Sequence, residues 1–425
     1  MKDVKGTKVS RRNFLKLSGI TAAGTAGVLT GGLTGLTAGP PSVFAKDDLK
    51  VGILDPYSGP YADSGKDQTN GALLAVDEIN KKGGVLGSMV VTFQEDTATN
   101  PGTAVQKGKK LIDEVGVKYI VGTVSSAVGL AVSALCQEKK VVLMCAGCHS
   151  DEITWGEKAH RHTFRTTCNN TMLARTAAAY IADKFGKKWY FITSDYSWGH
   201  TGRDAFKKVL AARGGKVVGE DLTPLGTTDF SSFLLKVRNA KPDVLILVLY
   251  GNDLVSAVKQ FNQFGLRKEM QVGGPLNGLE MARVIGKDNN VGYWGIPWDL
   301  SVGTKGSVEF GKRYHAKYNK LATWRDYLGY ISMQELLSAI QRAKSPDPRK
   351  VVLALEGHKF DGLKASPSYW RDWDHQNVQD TYCGRAKSGA EVKSPDDLFQ
   401  IVSTKKGDEV ANAKNEPPPT KLEAL

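Results

Sequence analysis

The 425-residue sequence predicts an α/β protein of two similar lobes, each built on a parallel sheet. Short, fully apolar runs recur along the chain, and strands apolar on both faces need helices on both sides. Stretches with helical spacing separate them. The rhythm runs twice, giving more strands than one compact core absorbs, and the length exceeds that of one average domain.

The chain opens on Ser10-Arg11-Arg12-Asn13-Phe14-Leu15-Lys16, followed by an uncharged, Gly-, Thr- and Ala-rich stretch up to Ala45. Basic region, weakly apolar region and small-residue exit are the order of an export signal, with cleavage expected before Lys46. The string resembles the twin-arginine signal, whose pathway carries folded proteins. A mature protein in the periplasm is the expectation.

From Leu49 the elements follow in order. Leu49-Lys50-Val51-Gly52-Ile53-Leu54 reads as a strand, and Ala72, Leu73, Val76 and Ile79 then share one helical face. Residues 90–93, 119–122 and 141–144 read as strands, with helices near 103–115 and 126–138 between them. The second run has strands at 189–193, 216–218 and 244–249, with helices near 171–185, 199–213, 229–239 and 252–264. Residues 303–345 read as mainly helical. The expected division is a signal over 1–45, a first lobe from 46–168 and 299–362, a second from 169–298 and 363–400, and an unpacked tail over 401–425.

The net charge is +13, and a good part of it sits in the first 45 residues. The remaining charges are interspersed, so nucleic acid is not an expected partner. No eighteen-residue apolar stretch of the kind a membrane span needs occurs. No nucleophile elbow, zinc helix, Walker loop or dinucleotide turn stands in a supporting context, so an enzyme is not expected. In open parallel sheets ligands bind off the carboxyl ends of the strands. That rule nominates residues 55–64, 123–127, 145–151, 194–198, 250–253 and 275–278.

These loops resemble those of the periplasmic ligand-binding proteins of ABC importers, in the branched-chain amino-acid family. Ser58-Gly59-Pro60, Gly71-Ala72, the run from Asp77 to Gly84, Asp96 and Val121 to Ser126 carry the likeness in the first lobe. Trp189 to Gly199, Asp229-Phe230-Ser231 and Asp374-His375-Gln376 continue it. The resemblance implies a type I periplasmic binding protein: two Rossmann-like lobes, three crossovers, a ligand clamped between, and hinge closure recognised by the membrane transporter. It implies no cofactor, a monomer, and an inner-membrane ABC permease as partner.

By position, Ser126 is expected to bond a ligand oxygen, or to serve only as a helix cap. Gly147, Cys148 and His149 fall where the family holds the ligand's head group. Tyr196 is expected to close from the second lobe, with Tyr250 and Asn277 on the far wall. Tyr61, Trp198, Trp294 and Trp298 extend the aromatic candidates, the last two rather as structural residues. The family's acid after the Gly-Pro turn is missing, since Leu276 and Asn277 follow Gly274-Pro275. A buried ammonium needs a counter-charge, which tells against a standard α-amino acid unless Asp253 or Glu280 replaces the acid, and keeps neutral amides, ureas and aromatic or short aliphatic acids in play.

Five cysteines in an exported chain invite disulfides. Cys145-Ala146-Gly147-Cys148-His149 is also a literal c-type haem string. A metal site would use Cys145, Cys148, His149, His160, His162 and Cys168. The leading expectation is a disulfide such as Cys148–Cys168, or free buried thiols. The functional expectation is a small-molecule receptor delivering to an ABC importer. The alternatives are a redox, metal or haem protein on the same fold, and a ligand sensor for a signalling partner.

Overall fold

A computed structural model describes residues 48–425; the export-signal reading of the first 45 residues lies outside the described residues. The first sheet holds β1 (Leu49–Asp55), β2 (Val90–Asp96), β3 (Tyr119–Gly122), β4 (Val142–Cys145) and β5 (Thr163–Arg165). All pairs are parallel, in the order β2-β1-β3-β4-β5. Val51, Ile53 and Leu54 are fully buried, as strands covered on both faces require.

The second sheet takes β6 (Lys188–Ser194), β7 (Lys216–Thr223), β8 (Val244–Val248), β9 (Gln271–Gly274) and β10 (Tyr293–Ile296) in parallel. A small antiparallel sheet follows, of β11 (Lys359–Phe360), β12 (Ser368–Trp370) and β13 (Asn377–Val378). Then β14 (Thr381–Ala386) and β15 (Phe399–Lys405) add antiparallel to the second sheet. Its order is β15-β14-β10-β9-β8-β6-β7.

The chain crosses between sheets after β5, after β10 and before β14. Lys364 binds two of these crossings together: its ammonium donates to Pro297 O at 2.6 Å, Gln379 Oε1 at 2.7 Å and Asp380 O at 2.8 Å. Gln379 in turn donates to Thr166 O in the remaining one. Burial pushes the Lys364 pKa down to about 8.

Two long helices pack together in the first lobe, Ala62–Asn80 and Trp324–Ala343, and the second brings Arg325 to the cleft. They touch backbone to backbone. A Cβ on Gly71 would stand 1.8 Å from Asp326 O, and one on Gly329 1.8 Å from Gln68 O, so only glycine permits the crossing. A capping box of Thr323 and Asp326 starts the second helix and sets Arg325 in its first turn.

The expectation of an unpacked tail is corrected. Phe399–Lys405 is an edge strand, and Val410 and Asn412 are buried. The Lys-rich, proline-rich composition hid contacts that are polar rather than apolar.

Candidate functional site

Both sheets reverse their strand order, the first between β1 and β3 and the second between β6 and β8. Loops at such switch points splay apart and leave a crevice. Here the loops of the two lobes close on each other around a small cavity. Tyr61, Val124, Ser126, Gly147 and His149 line it from the first lobe, with Arg325; Tyr196, Trp198, Tyr250 and Leu276 line it from the second. A larger groove, about 1070 Å³ of open space, lies at the opposite ends of β1 and β3 beside Val85 and Ile340. It has no buried charge on its wall, so the smaller cavity is the candidate.

Each wall residue is held by its own loop. Asp96, at the end of β2, accepts from Tyr57 N (2.8 Å), Ala98 N (2.7 Å) and Ser58 Oγ (2.6 Å), which fixes the turn before Tyr61. Ser126 begins the helix Ser126–Lys139, but the cap position is Ser125 and its side chain makes no capping bond. The Ser126 hydroxyl instead accepts from Ser150 N at 3.1 Å, leaving its own proton to donate. His149 Nδ1 lies 2.8 Å from Cys168 O, and a carbonyl only accepts, so the proton is on Nδ1. Burial and the nearby Arg325 hold this imidazole well below its ordinary pKa. Nε2 is therefore an acceptor.

The lobes meet through hydroxyls. Tyr61 OH and Tyr196 OH are 2.9 Å apart, and Ser64 Oγ and Tyr250 OH are 3.0 Å apart. Tyr250 OH also accepts from Arg325 Nε at 3.0 Å and donates to Glu280 Oε1 at 3.1 Å. One phenol thus bridges a guanidinium and a carboxyl group.

Arg325 is 2% exposed, and among the described residues no carboxylate stands within ion-pair distance of it. Its other bond goes to Gly147 O at 3.0 Å, and its plane lies 4.0 Å from the Trp324 ring and 4.9 Å from the Tyr250 ring. Glu280 Oε2 is buried without a partner, as are Trp198 Nε1, Trp324 Nε1 and Asn277 Nδ2. Burial raises the Glu280 pKa to about 7, against the opposing pull of Arg325. Buried polar atoms are ordinarily paired; of these four residues Trp198 lines the cavity, and Glu280 meets its wall through Tyr250 OH.

Among the sequence candidates, Ser126, Gly147, His149, Tyr196 and Tyr250 come together at the wall. Cys148 does not: its thiol points behind the loop, 3.0 Å from Thr123 Oγ1 and 3.3 Å from Ser125 O. Extended backbone alternates its sides, so Gly147 and His149 face in and Cys148 faces out. Asn277 spends its Oδ1 on Gly278 N at 2.8 Å, and Leu276 takes the place at the wall. Trp294 and Trp298 lie elsewhere, with indole N–H groups on Val291 O and Ser307 Oγ. Arg325 was missed by sequence reading. A lone arginine at a helix start carries no local signal, and its partner Gly147 is distant in sequence.

The expectation of a Cys148–Cys168 disulfide is corrected; the cysteines are buried thiols. All five are buried and free. Among the described residues no group of three or more His, Cys, Asp or Glu converges for a metal. His160 pairs with Glu423, and His162 with Gln137. Cys145 and Cys148 are fully buried, and a Cβ on Gly129 would stand 2.5 Å from Cys148 Sγ, so this string packs tightly inside the first lobe.

Two α/β lobes joined by three crossings and closed over a small polar-aromatic cavity define a solute receptor. The chain belongs to the periplasmic binding protein family, whose model matches residues 48–391. It is 31% identical over 265 residues to a Leu/Ile/Val-binding protein of Rhizobium johnstonii, covering 61% of this chain and 67% of that one. With a Leu/Ile/Val-binding protein homologue of Brucella melitensis it is 29% identical, covering 79% and 87%. A solved amino-acid ABC transporter substrate-binding protein of Pseudomonas fluorescens superposes with a TM-score of 0.79 at 28% identity, covering 85% and 97%. A periplasmic binding protein of Burkholderia mallei gives 0.81 at 29%, covering 87% and 97%. The protein is an ABC-transporter substrate-binding protein, a small-molecule receptor.

Proposed function

We propose that this receptor binds an α-amino acid with an aliphatic side chain in the periplasm, after export by the twin-arginine route, and delivers it as a monomer to its permease. The observation that carries the reading is the pair of buried, incompletely matched charges at one phenol. Arg325 lacks an anion, and Glu280 Oε2 lacks a donor. A ligand carrying a carboxylate and an ammonium group satisfies both, and a buried charge is costly until it is paired. The missing acid after Gly274-Pro275 is supplied one helical turn later by Glu280. The Ser126 hydroxyl and the Trp198 and Trp324 indoles are further donors for the carboxylate. His149 Nε2 is a further acceptor for the ammonium. The aromatic rings and Leu276 suit an apolar side chain, in keeping with the Leu/Ile/Val names of the relatives. Ligand binding stabilises lobe closure, and closure is what the permease reads.

Calorimetric titration of the mature chain with L-leucine tests this. A single site with dissociation constant of about a micromolar or tighter is expected. No heat with L-leucine, L-isoleucine or L-valine, alongside tight binding of a neutral amide or urea, would overturn the reading.

A further inference from the structure

We propose that residues 407–425 form a strap that fastens the two lobes to each other and sets how readily the cleft opens. This segment lies beyond the part of the chain that matches the family model, which ends at residue 391. It is anchored on the second lobe first. Glu416 accepts two bonds from Arg175 Nη2, both 2.8 Å, and one from Lys208 Nζ at 2.7 Å. Asn412 then sits at the crossings, where its Oδ1 accepts from Asn169 Nδ2 at 2.8 Å. Beyond three consecutive prolines the chain reaches the first lobe. Thr420 Oγ1 accepts from Gly156 N at 2.9 Å, and Glu423 takes Arg161 N at 3.0 Å and lies 2.6 Å from His160 Nδ1.

The length makes this a restraint rather than a decoration. Glu416 and Glu423 stand on different lobes with only a proline-stiffened stretch between them, and an extended chain gains no more than about 3.5 Å per residue. A hinge opening that carries Arg175 and Lys208 away from Arg161 must release one anchor. Both anchors are carboxylates on cationic or backbone donors at a partly wet surface, so the restraint weakens as salt screens it. An opening equilibrium biased in this way scales apparent affinity by the closed fraction.

The test uses the full mature chain and needs no ligand, so its outcome is independent of the amino-acid assignment. Spin labels on one exposed residue of each lobe report the inter-lobe distance by pulsed electron resonance. The ligand-free wild type should show a shorter mean inter-lobe distance at low salt and shift to longer distances in about 1 M salt, where the screening length falls to about 3 Å. Glu416→Gln/Glu423→Gln should be open already at low salt and lose most of the salt response. Thr420→Val, which removes two hydrogen bonds and no charge, should open partly and keep that response. If the double variant does not fold, the wild-type salt series and Thr420→Val decide. Distances in the variants that match the wild type, or a wild type indifferent to salt, would overturn the proposal.

Discussion

Protonating Glu280 should release an amino acid from the cleft. Its Oε2 is buried, and desolvation holds its pKa up at about 7. An ammonium group binds the ionised form. At about pH 5, two units lower, roughly one molecule in a hundred carries the charge, so the dissociation constant for L-leucine should rise about 100-fold, some 2.7 kcal/mol. Calorimetry from about pH 5 to about pH 8 reads this directly. Glu280→Gln should bind about 100-fold more weakly at about pH 8 and show little further change on acidification. Stability moves the other way. A carboxyl whose folded pKa is raised holds its proton better than the unfolded chain does, so its stabilising effect is full below the ordinary value of 4.5 and lost as pH rises through about 7. Ligand-free Glu280→Gln should therefore match the wild type near pH 5 and exceed it near pH 8, by on the order of 2 kcal/mol. Binding that is flat with pH in the wild type, or unimpaired in Glu280→Gln, would refute the reasoning.

Other tests follow from the same wall. Arg325→Gln removes the buried cation and should weaken L-leucine by about 10- to 100-fold in calorimetry, the value of a charge-assisted bond of about 1.5–3 kcal/mol. Gly147→Ala puts a Cβ 2.1 Å from Arg325 Nη1 and 2.6 Å from Gln68 Oε1, so it should abolish binding while the far-ultraviolet dichroism stays that of the wild type. Tyr61→Phe removes one inter-lobe bond and should raise the dissociation rate by a factor of about 5–10, measured by stopped flow. The native protein should expose no thiol to an aromatic disulfide reagent and all five after denaturation, in keeping with five buried free cysteines.

Much of this architecture is written locally in the chain. Val244 to Leu249 is apolar at every position and reads as a buried parallel strand, which it is within one residue. The switch-point rule then selects the loops that line the cavity, because strand carboxyl ends and loop composition are both visible in sequence. What escapes is long-range or alternates within a loop. Phe399–Lys405 mixes polar and apolar residues because it lies at a sheet edge, and so it read as tail. Arg325 reaches the cleft only because Gly71 and Gly329 let two distant helices touch. Cys148 is turned away from the ligand by one residue of extended backbone, which spacing alone does not reveal.

The most direct test of the central claim compares L-leucine with its two half-molecules on the mature protein, by thermal unfolding. L-leucinamide keeps the ammonium and lacks the carboxylate; 4-methylpentanoate keeps the carboxylate and lacks the ammonium. Ligand at about a thousand times its dissociation constant adds about 4 kcal/mol, so L-leucine should raise the midpoint by several degrees. Each half-molecule leaves one buried charge unmatched and should raise it little. A half-molecule that stabilises as strongly as L-leucine would contradict the pairing of Arg325 and Glu280 with opposite ends of one ligand.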